Sequence, residues 1–565
     1  MADDAYTISD YLLDRLVELG VDRVFGVPGD YTLSLLDHVE SHRGLSWTGC
    51  TNELNAGYAA DGYGRMRAIA ALMTTFGVGE LSAINAVAGS YAEHVPVVHI
   101  VGSPSSGAQA AAKIVHHSLG DGVFTHFLDM HAGITCARAA LTAAEATEQI
   151  DRVLTAVRDH HLPGYLLLPV DTGETPVRPP TAPLPGRLDV TDPSALDAFR
   201  DAAARLLRTA SDAGDVCVLA GLLVHRLGAT PQLDNLLSAG PLRHATSLWG
   251  KSLVDESDAY YLGIYAGAAS EPAVREAVED AQVLVIAGVQ FTDLNSGFFT
   301  QQITRTRTIE LGPAVASVGA ATFAPVAMDA ALRCLTGLVS EMGHQQPTPS
   351  SVTIPDAAAD AAGGDAPLTQ VGLWSAVAAS LRAGDTVLAD QGTAFYGMAT
   401  HRLPTDVTFI GQPLWASIGY TLPALLGACL AQPGRRGVLL IGDGAAQMTV
   451  QELSTVLREG LTATVVIVDN DGYTVERAIH GPEEPYNDIA RWDWSLLPAL
   501  FAPDRPAHVH RVTTAAELAA ALQDAAATPD GLTLIQAVLE RMDVPELLST
   551  LARAASSANA RASSS

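Results

Sequence analysis

The sequence predicts an α/β protein made of three doubly wound domains, each with a parallel sheet. Its 565 residues exceed the usual size of one domain, about 100–200 residues. Two stretches rich in proline or in small polar residues divide the chain. Within each resulting block, short apolar runs alternate with segments of helical periodicity. Continuous apolar strands separated by helices are typical of parallel sheets that helices cover on both faces.

The domain boundaries follow from the two linker-like stretches. Residues 174–186 contain five prolines, too many for the interior of a helix or sheet. Residues 345–367 mix Pro, Ala, Gly, Ser and Asp without apolar periodicity. We therefore expect domains at 1–178, 187–344 and 366–553. The last residues, 554–565, are small and polar and predict a disordered tail.

The first helix is predicted from Ile8, Leu12, Leu16 and Leu19, with Gly20 placed to end it. The apolar runs predict strands at 24–27, 70–73, 97–101, 165–168, 216–220, 283–287, 309–311, 387–389, 437–441, 465–468 and 532–536. In such sheets ligands bind beyond the carboxyl ends of the strands, so the residues after each strand are the candidates for a site.

The charge balance excludes some classes of partner. There are 33 basic and 62 acidic residues, a formal net charge of −29, which repels nucleic acid and anionic lipid surfaces. Charged residues make up 17% of the chain, against about 25% in average proteins, which fits a body with much surface buried between domains or subunits. Any anionic ligand must be held by a local feature that opposes the global charge.

Lysine and cysteine usage narrows the chemistry. The two lysines, Lys113 and Lys251, lie in a small-residue stretch and before an acidic run, and neither looks like a desolvated amine. Schiff-base chemistry, including that of pyridoxal phosphate, is therefore disfavoured. The five cysteines are scattered without metal-ligand spacing, which favours a reducing compartment over disulfides or zinc sites.

Nothing in the sequence favours a membrane or secreted protein. The start, Met1-Ala2-Asp3-Asp4, is acidic, the reverse of a signal peptide. Residues 408–433 carry no formal charge and are long enough to span a bilayer, but they contain three prolines and three glycines. We interpret them as a buried helix with its leading loop, and we expect a cytoplasmic protein.

The strongest chemical signal follows two predicted strands of the third domain. Gly442-Asp443-Gly444 comes after one of them, and Asp469-Asn470-Asp471-Gly472 after the next. Asp443 and Asn470 are 27 residues apart, enough for one helix and a return strand, so both tips should lie at the same sheet edge. A carboxylate, an amide oxygen and the Gly472 carbonyl suit Mg²⁺, which phosphate oxygens would complete. This predicts a metal that holds a diphosphate.

Further motifs extend this signal along the chain. They are VFGVPGD at 24–30, NELNAGYAADGYGR at 52–65, HHSLG at 116–120, DQGT at 390–393, SIGY at 417–420 and GYTVE at 472–476. With them the chain resembles, over nearly its full length, the thiamine diphosphate-dependent decarboxylases of pyruvate, indolepyruvate, phenylpyruvate and branched-chain 2-oxo acids. One departure is Asp469, where that family usually has asparagine.

The resemblance implies a pyrimidine-binding, a central and a diphosphate-binding domain, with thiamine diphosphate and Mg²⁺ as cofactors. It places the cofactor between the first domain of one subunit and the third of another, so we expect a homodimer at least and a homotetramer as the full assembly. Asp443, Asn470 and Gly472 would hold the metal. The implied cofactor-binding residues are Glu53, Thr75, Gly392, Thr393, Ser417, Ile418, Gly442, Asp443, Gly444, Ala445, Asn470, Gly472, Tyr473 and Thr474.

The resemblance also implies five catalytic residues, namely Asp30, Glu53, His116, His117 and Glu476. Glu53 would contact the aminopyrimidine, and the others would donate and accept protons during loss of CO₂ and release of an aldehyde. Taken singly, Asp30 also fits a turn, Glu53 a helix surface and Glu476 the first turn of a helix. A second histidine pair, His160-His161, precedes a turn and a strand and is interpreted as surface. The first pair follows a small-residue run, 103–112, that resembles a lid.

Substrate choice is predicted from the same resemblance. The implied pocket residues are Thr292, Gln391, Phe395, Tyr396, Val475 and Met542. Pyruvate-specific relatives place tryptophan in this pocket, and indolepyruvate relatives place alanine where Phe395 stands. We therefore expect branched-chain or aromatic 2-oxo acids as substrates, with pyruvate or indolepyruvate as the alternatives. Without the resemblance, Phe395 and Tyr396 fit core aromatics equally well.

Three other functions fit the sequence less well. A thiamine diphosphate-dependent carboligase usually lacks the His116-His117 pair and carries FAD in its middle domain, where this chain shows no evident flavin motif. A catalytically dead homologue would be expected to lose Glu53 or a metal ligand, and all are present. A Rossmann dehydrogenase is disfavoured because no GxGxxG opens a helix after the first strand.

Overall fold

The first domain forms a wholly parallel sheet. The computed structural model describes residues 5–342, 365–505, 507–528 and 530–562. Strands of this domain are β1 Arg23–Gly26, β2 Ser46–Gly49, β3 Ala70–Thr75, β4 Val97–Ser103, β5 Ala137–Ala140 and β6 Gly164–Pro169. Its helices are α1 Ile8–Glu18, α2 Leu33–Ser41, α3 Glu53–Arg67, α4 Val78–Ala92, α5 Ser106–Ala110, α6 His126–Met130, α7 Ala146–His160 and α8 Val170–Gly173. The strand order is β2-β1-β3-β4-β6-β5.

The middle domain has a mixed sheet. Its strands are β7 Val216–Ala220, β8 Arg243–Ser247, β9 Tyr261–Tyr265, β10 Val283–Ala287, β11 Thr308–Leu311, β12 Ala316–Val318 and β13 Ala321–Phe323. Its helices are α9 Pro193–Leu207, α10 Leu222–Arg226, α11 Thr230–Ser238, α12 Pro272–Glu279 and α13 Met328–Ser340. The order is β13-β12-β11-β10-β7-β8-β9.

The edge of this middle sheet corrects the expectation of a wholly parallel one. β12 pairs antiparallel with both β11 and β13. Only Gly319 and Ala320 connect β12 to β13, and so short a connection can join antiparallel strands only. Gly319 has a φ of +57°, as tight hairpin turns require.

The third domain is again wholly parallel, with the order β15-β14-β16-β17-β19-β18. Its strands are β14 Thr386–Ala389, β15 Thr408–Ile410, β16 Gly437–Gly442, β17 Ala463–Asp469, β18 Ala507–Val512 and β19 Leu532–Val538. Its helices are α14 Gln370–Ser380, α15 Thr393–Ala399, α16 Thr421–Ala431, α17 Asp443–Thr449, α18 Leu453–Arg458, α19 Thr474–Ile479, α20 Leu497–Phe501, α21 Ala515–Ala527 and α22 Glu546–Ala562. The predicted architecture of three α/β domains with mainly parallel sheets is thus confirmed.

The end of the chain differs from the predicted tail. Residues 554–562 continue α22 and are helical rather than disordered. Alanine favours helix, and Leu548, Leu551, Ala552 and Ala555 share one buried face at helical spacing. Residues 563–565, and most of the predicted linker 345–367, lie outside the described residues.

Helices α3 and α16 join the first and third domains through close backbone contact. A Cβ on Gly427 would lie 1.8 Å from the Ala59 carbonyl oxygen, and one on Gly62 would lie 2.3 Å from that of Ala424. Every residue of α16 is buried, so the uncharged stretch 408–433 is the buried helix and leading loop that the sequence predicts. Among the described residues, no helix has the length and apolar character that crossing a membrane requires.

Lys251 corrects the view that neither lysine is desolvated. It is 6% exposed, and its Nζ donates to a Glu256 carboxylate oxygen at 2.6 Å and to the His401 carbonyl. Burial lowers its pKa, which the contact with Glu256 opposes. The burial of Lys251 could not be predicted from the sequence, because its ion-pair partner Glu256 belongs to the acidic run that follows it. The amine is engaged in joining the middle and third domains.

Candidate active site

A cavity of about 290 Å³ opens at the carboxyl ends of β14, β16 and β17. It contains most of the predicted diphosphate-side residues. Those that line it are Gly392, Thr393, Ile418, Gly442, Asp443, Gly444, Ala445, Asn470, Gly472, Tyr473 and Thr474, together with the predicted catalytic Glu476. Parallel strands bring these tips to one edge, as the spacing of the two motifs predicts.

The Asp443 carboxylate joins the two motif tips. It begins α17, with Oδ1 accepting from the Gly444 amide at 2.7 Å and Oδ2 from the Gly472 amide at 3.1 Å. Asp443 is 2% exposed, and burial raises its pKa to about 7, with the nearby Asp469 carboxylate adding to the rise. A buried carboxylate destabilised in this way, next to Asn470 and the Gly472 backbone, fits a divalent cation with oxygen ligands.

Asp469 lies beside this set but outside the cavity lining. Its Oδ2 accepts from Gln536 Nε2 on β19 at 2.6 Å. The Asp469 side chain, which departs from the family pattern, is therefore held in place by a hydrogen bond from the neighbouring strand.

Hydrogen bonds to backbone carbonyls and close backbone packing fix the segment 471–477, which includes the first turn of α19. Gly472 has a φ of +123°, and a Cβ there would lie 2.2 Å from the Asn487 carbonyl oxygen. The Tyr473 amide donates to that same carbonyl at 3.0 Å, and Arg477 donates to the Asp471 carbonyl at 2.7 Å. These contacts hold the Gly472 carbonyl and the first turn of α19, which carries Val475 and Glu476, at the cavity.

Asp390 lines the cavity and was missed by the sequence assignment, although it begins the DQGT motif. It is 1% exposed, and its carboxylate accepts from the Gly419 amide at 3.1 Å and the Thr421 hydroxyl at 2.6 Å. Burial raises its pKa to about 6. The carboxylate thereby ties the end of β14 to the loop that carries Ile418, one of the predicted cofactor-binding residues.

In the first domain the structure brings Asp30, His116 and His117 together. His116 Nε2 lies 2.6 Å from Asp30 Oδ2, and His117 Nε2 lies 3.9 Å from Asp30 Oδ1. His117 has a φ of +62°, a costly conformation for a residue with a side chain. The small-residue run before the pair contains the short helix α5, whose Ser106 hydroxyl donates to Asp171 at 2.6 Å.

Glu53 and Thr75 lie against the first turn of α4. A Cβ on Gly79 would be 3.3 Å from Glu53 Oε1 and 3.1 Å from Thr75 Cγ2. The Thr75 hydroxyl is buried, and in the part of the chain that the structure describes it has no hydrogen-bond partner. A half-buried carboxylate beside an unpartnered hydroxyl fits a polar heterocycle such as the aminopyrimidine.

Glu80, which the sequence did not single out as a site residue, supports this first turn of α4. It is fully buried, and it accepts from the Gly77 amide at 2.8 Å and from the Tyr165 hydroxyl at 2.6 Å. Burial raises its pKa to about 7. Gly77 in turn packs on the His117 carbonyl, so one buried acid holds the turn between Glu53 and His117.

The two groups of residues lie apart within one chain. Among the described residues, those that line the cavity come from 294–555, and none belongs to the first domain. Asp30, Glu53, Thr75, His116 and His117 therefore stand outside it. Ser417 also lies outside, where its hydroxyl is 2.7 Å from that of Tyr58.

The predicted substrate residues divide in the same way. Gln391, Tyr396 and Val475 line the cavity, and Gln391 Nε2 donates to the Tyr396 hydroxyl at 2.7 Å. Phe395 does not line it; the ring packs 5.6 Å from that of Phe409 and is 2% exposed. Neighbouring positions on α15 point about 100° apart, so Tyr396 faces the cavity while Phe395 faces the core.

Thr292 and Met542 also lie outside the lining, where Leu294 and α22 stand instead. The α22 residues in the wall are Leu548, Leu551, Ala552 and Ala555. From this part of the chain the resemblance implied Met542 as a pocket residue, whereas the lining comes from the helix α22 that follows it.

Comparisons with known proteins relate the chain to thiamine pyrophosphate enzymes. Three thiamine pyrophosphate enzyme domains match, the N-terminal TPP binding domain at residues 6–128, the central domain at 200–336 and the C-terminal TPP binding domain at 390–537. A solved chain described as a thiamin diphosphate-dependent enzyme from Mycobacterium smegmatis superposes with a TM-score of 0.76, covering 95% of this chain and 100% of its own, at 19% identity. That likeness shows the fold.

Two curated relatives are much closer in sequence. An alpha-keto-acid decarboxylase of Mycolicibacterium paratuberculosis is 56% identical over 98% of this chain and 97% of its own length. Another of the same description, from Mycobacterium leprae, is 54% identical over 98% of this chain and 96% of its own. The chain therefore belongs to the family of thiamine pyrophosphate-dependent 2-oxo-acid decarboxylases.

Proposed function

We propose that this protein removes CO₂ from branched-chain or aromatic 2-oxo acids and releases the aldehyde, using thiamine diphosphate and Mg²⁺. The observation that carries the proposal is the cavity in which Asp443, Asn470 and Gly472 meet beside Glu476. When bound, thiamine diphosphate supplies the electron sink that decarboxylation of a 2-oxo acid requires. The protein's own part is to bind the diphosphate, to shield the site and to move protons.

The binding roles follow from the donor set. Asp443, Asn470 and the Gly472 carbonyl would hold Mg²⁺, and the metal would offset the repulsion between a diphosphate and a protein of net charge −29. Gly444 and Ala445 at the start of α17 bring backbone amides to the same edge. Ile418, fixed by Asp390 through Gly419, would support the cofactor from the apolar side.

The proton roles need both groups of residues. We propose that the first domain of a partner subunit supplies Asp30, Glu53, His116 and His117 to the cavity, so the active form is at least a homodimer. Two features of the cavity lining described above support this. Among the described residues, it contains none from the first domain, and Glu476 is the one member of the predicted catalytic set that it contains. His116, His117, Asp30 and Glu476 would then donate and accept protons around the reacting carbon.

Histidine replacements separate this proposal from a structural role for the pair. We expect His116→Ala and His117→Ala, and likewise Glu476→Gln, to lower kcat by about 10²–10⁴-fold, the usual contribution of a general acid or base. All three variants should still bind thiamine diphosphate and Mg²⁺, since none of the three replaced residues is a proposed metal ligand. The measurement is a coupled aldehyde assay together with cofactor content after gel filtration.

His160→Ala is the matched control, because His160 ends α7 on the exposed surface. Its activity should equal that of the parent. A dead His160→Ala variant, or full activity in His116→Ala and His117→Ala, would contradict the assignment.

Substrate preference is proposed from the apolar wall of the cavity. Ile479, Leu548 and Leu551 offer room and apolar surface for a branched or phenyl side chain. An added methylene in such a pocket is worth about 1–3 kcal/mol. We expect kcat/KM for 4-methyl-2-oxovalerate, 2-oxoisovalerate and phenylpyruvate to exceed that for pyruvate by about tenfold or more, measured across a panel of 2-oxo acids.

Two variants test which side chains set this preference. Val475→Trp should narrow the cavity and reduce the ratio between 4-methyl-2-oxovalerate and pyruvate. Phe395→Leu should leave that ratio unchanged, because the ring faces the core. Equal kcat/KM for the two substrates in the parent would refute the proposed preference, and a shift with Phe395→Leu alone would favour the sequence-based assignment.

A further inference from the structure

Asp30, His116 and His117 form a group with the donor chemistry of a transition-metal site. One ligand atom from each, two imidazole nitrogens and a carboxylate oxygen, lies within 4.8 Å of the others. Both Nε2 atoms turn toward the same carboxylate, at 2.6 Å for His116 and 3.9 Å for His117. Three nitrogen and oxygen ligands that leave further positions open are typical of reactive zinc centres.

Tyr31 adds the support that metal-binding histidines usually have. Its hydroxyl lies 3.4 Å from His116 Nδ1, and its ring stacks on the imidazole with centroids 5.0 Å apart. A ligating histidine commonly gives its second ring N–H to such an acceptor, which fixes the tautomer with Nε2 free for the metal. The group is therefore oriented as well as clustered.

The group is also open to ions from solution. In the single chain the side chains of His116 and Asp30 are 59% and 49% exposed, in the proposed dimer they would face the cavity that substrate enters from solution, and the net charge of −29 attracts cations. Its chemistry differs from that of the Asp443 site, whose buried oxygen donors suit Mg²⁺. Imidazole nitrogens favour Zn²⁺, Co²⁺, Ni²⁺ and Cu²⁺ over Mg²⁺.

We propose that Asp30, His116 and His117 form a second metal site, which takes a borderline divalent ion such as Zn²⁺ and inhibits the enzyme. A bound ion would occupy the Nε2 lone pairs and the carboxylate that proton transfer needs. The inhibitory part rests on the proposed function, whereas binding of the ion does not.

The test uses the full-length holoenzyme in excess thiamine diphosphate and Mg²⁺. Equilibrium dialysis with Zn²⁺ should give one tightly bound ion per chain, and Co²⁺ should develop the visible absorption of a site with nitrogen ligands. In the double variant H116A/H117A, binding at that site should weaken by at least about a hundredfold, since two of three ligands are gone. In the parent, the same Zn²⁺ range should inhibit reversibly, with activity restored by a chelator and fresh Mg²⁺.

The matched control is the surface cluster on β18, where His508 Nδ1 and His510 Nε2 each lie 2.8 Å from Asp524 Oδ2. The double variant H508A/H510A should keep the tight ion, the cobalt absorption and the inhibition. The proposal is overturned if H116A/H117A binds Zn²⁺ as the parent does, if H508A/H510A loses the ion, or if the parent binds none. Tight binding at the pair without inhibition would overturn the inhibitory role alone.

Discussion

Glu53→Gln should leave thiamine diphosphate bound and slow exchange of its thiazolium C2 proton by about 10²–10⁴-fold, the usual effect of removing a general acid or base. The substitution keeps the side chain's shape at the start of α3, where the Asn52 side chain caps the helix, and removes only its charge and basicity. The measurement is hydrogen–deuterium exchange at C2 followed by NMR, with cofactor retention measured on the same sample.

Two outcomes would contradict this assignment. Unchanged exchange would show that Glu53 does not activate the cofactor. Loss of the cofactor itself would mean that Glu53 is needed for binding, and the half-buried position against Gly79 and Thr75 would then be part of the binding surface. Thr75→Val, which removes the unpartnered hydroxyl and keeps the side chain's shape, separates the two roles: we expect weaker cofactor binding with unchanged exchange in the molecules that retain it.

The fold could be predicted where strands are buried on both faces. The runs at 216–220 and 283–287 coincide with β7 and β10, because short, wholly apolar runs between helices are typical of strands buried on both faces of a parallel sheet. Edge strands were missed: β2 and β18 are partly exposed, and their mixed composition resembles loops. The interior strand β8 was missed too, because RHATS buries polar side chains such as His244 and Thr246 within the fold.

The diphosphate side of the site could be predicted because it depends on backbone tips that sequence spacing fixes. Its supports could not. Asp390 and Glu80 act through hydrogen bonds to residues distant in sequence or on the next turn, and a single carboxylate in a motif does not reveal its partners. The sequence also could not predict which way the Phe395 side chain points, since that depends on how α15 is rotated against Phe409.

Asp443→Ala is expected to have the other large effect. Breaking a buried ion pair by removing one partner costs about 3–5 kcal/mol, and a loss of that size between metal and carboxylate corresponds to roughly 10²–10⁴-fold weaker binding of Mg²⁺. Retention of thiamine diphosphate and turnover should fall with it. The subunit itself should remain folded, because without metal the buried Asp443 carboxylate is destabilising, as its raised pKa of about 7 indicates.

Asp469→Asn is the matched control, because it also removes one carboxylate charge close to the proposed metal site. It removes a neighbouring carboxylate that lies outside the cavity lining and accepts from Gln536, so Mg²⁺ and cofactor should stay bound. Isothermal titration with Mg²⁺, and thermal unfolding in the presence of a chelator, measure both effects. Full activity of Asp443→Ala after exhaustive chelation would refute the metal site.

Mixing the two inactive variants then tests where the site is assembled. If the first domain of one subunit meets the third of another, a hybrid of Glu53→Gln and Asp443→Ala chains contains one damaged site with both substitutions and one intact site with neither. Subunit exchange should therefore restore activity, up to half of the parent value per hybrid dimer. Sites built within single chains would give no recovery, since each chain would keep its own defect. That result would overturn the proposal that the first-domain residues come from a partner, while leaving the metal site at Asp443 in place.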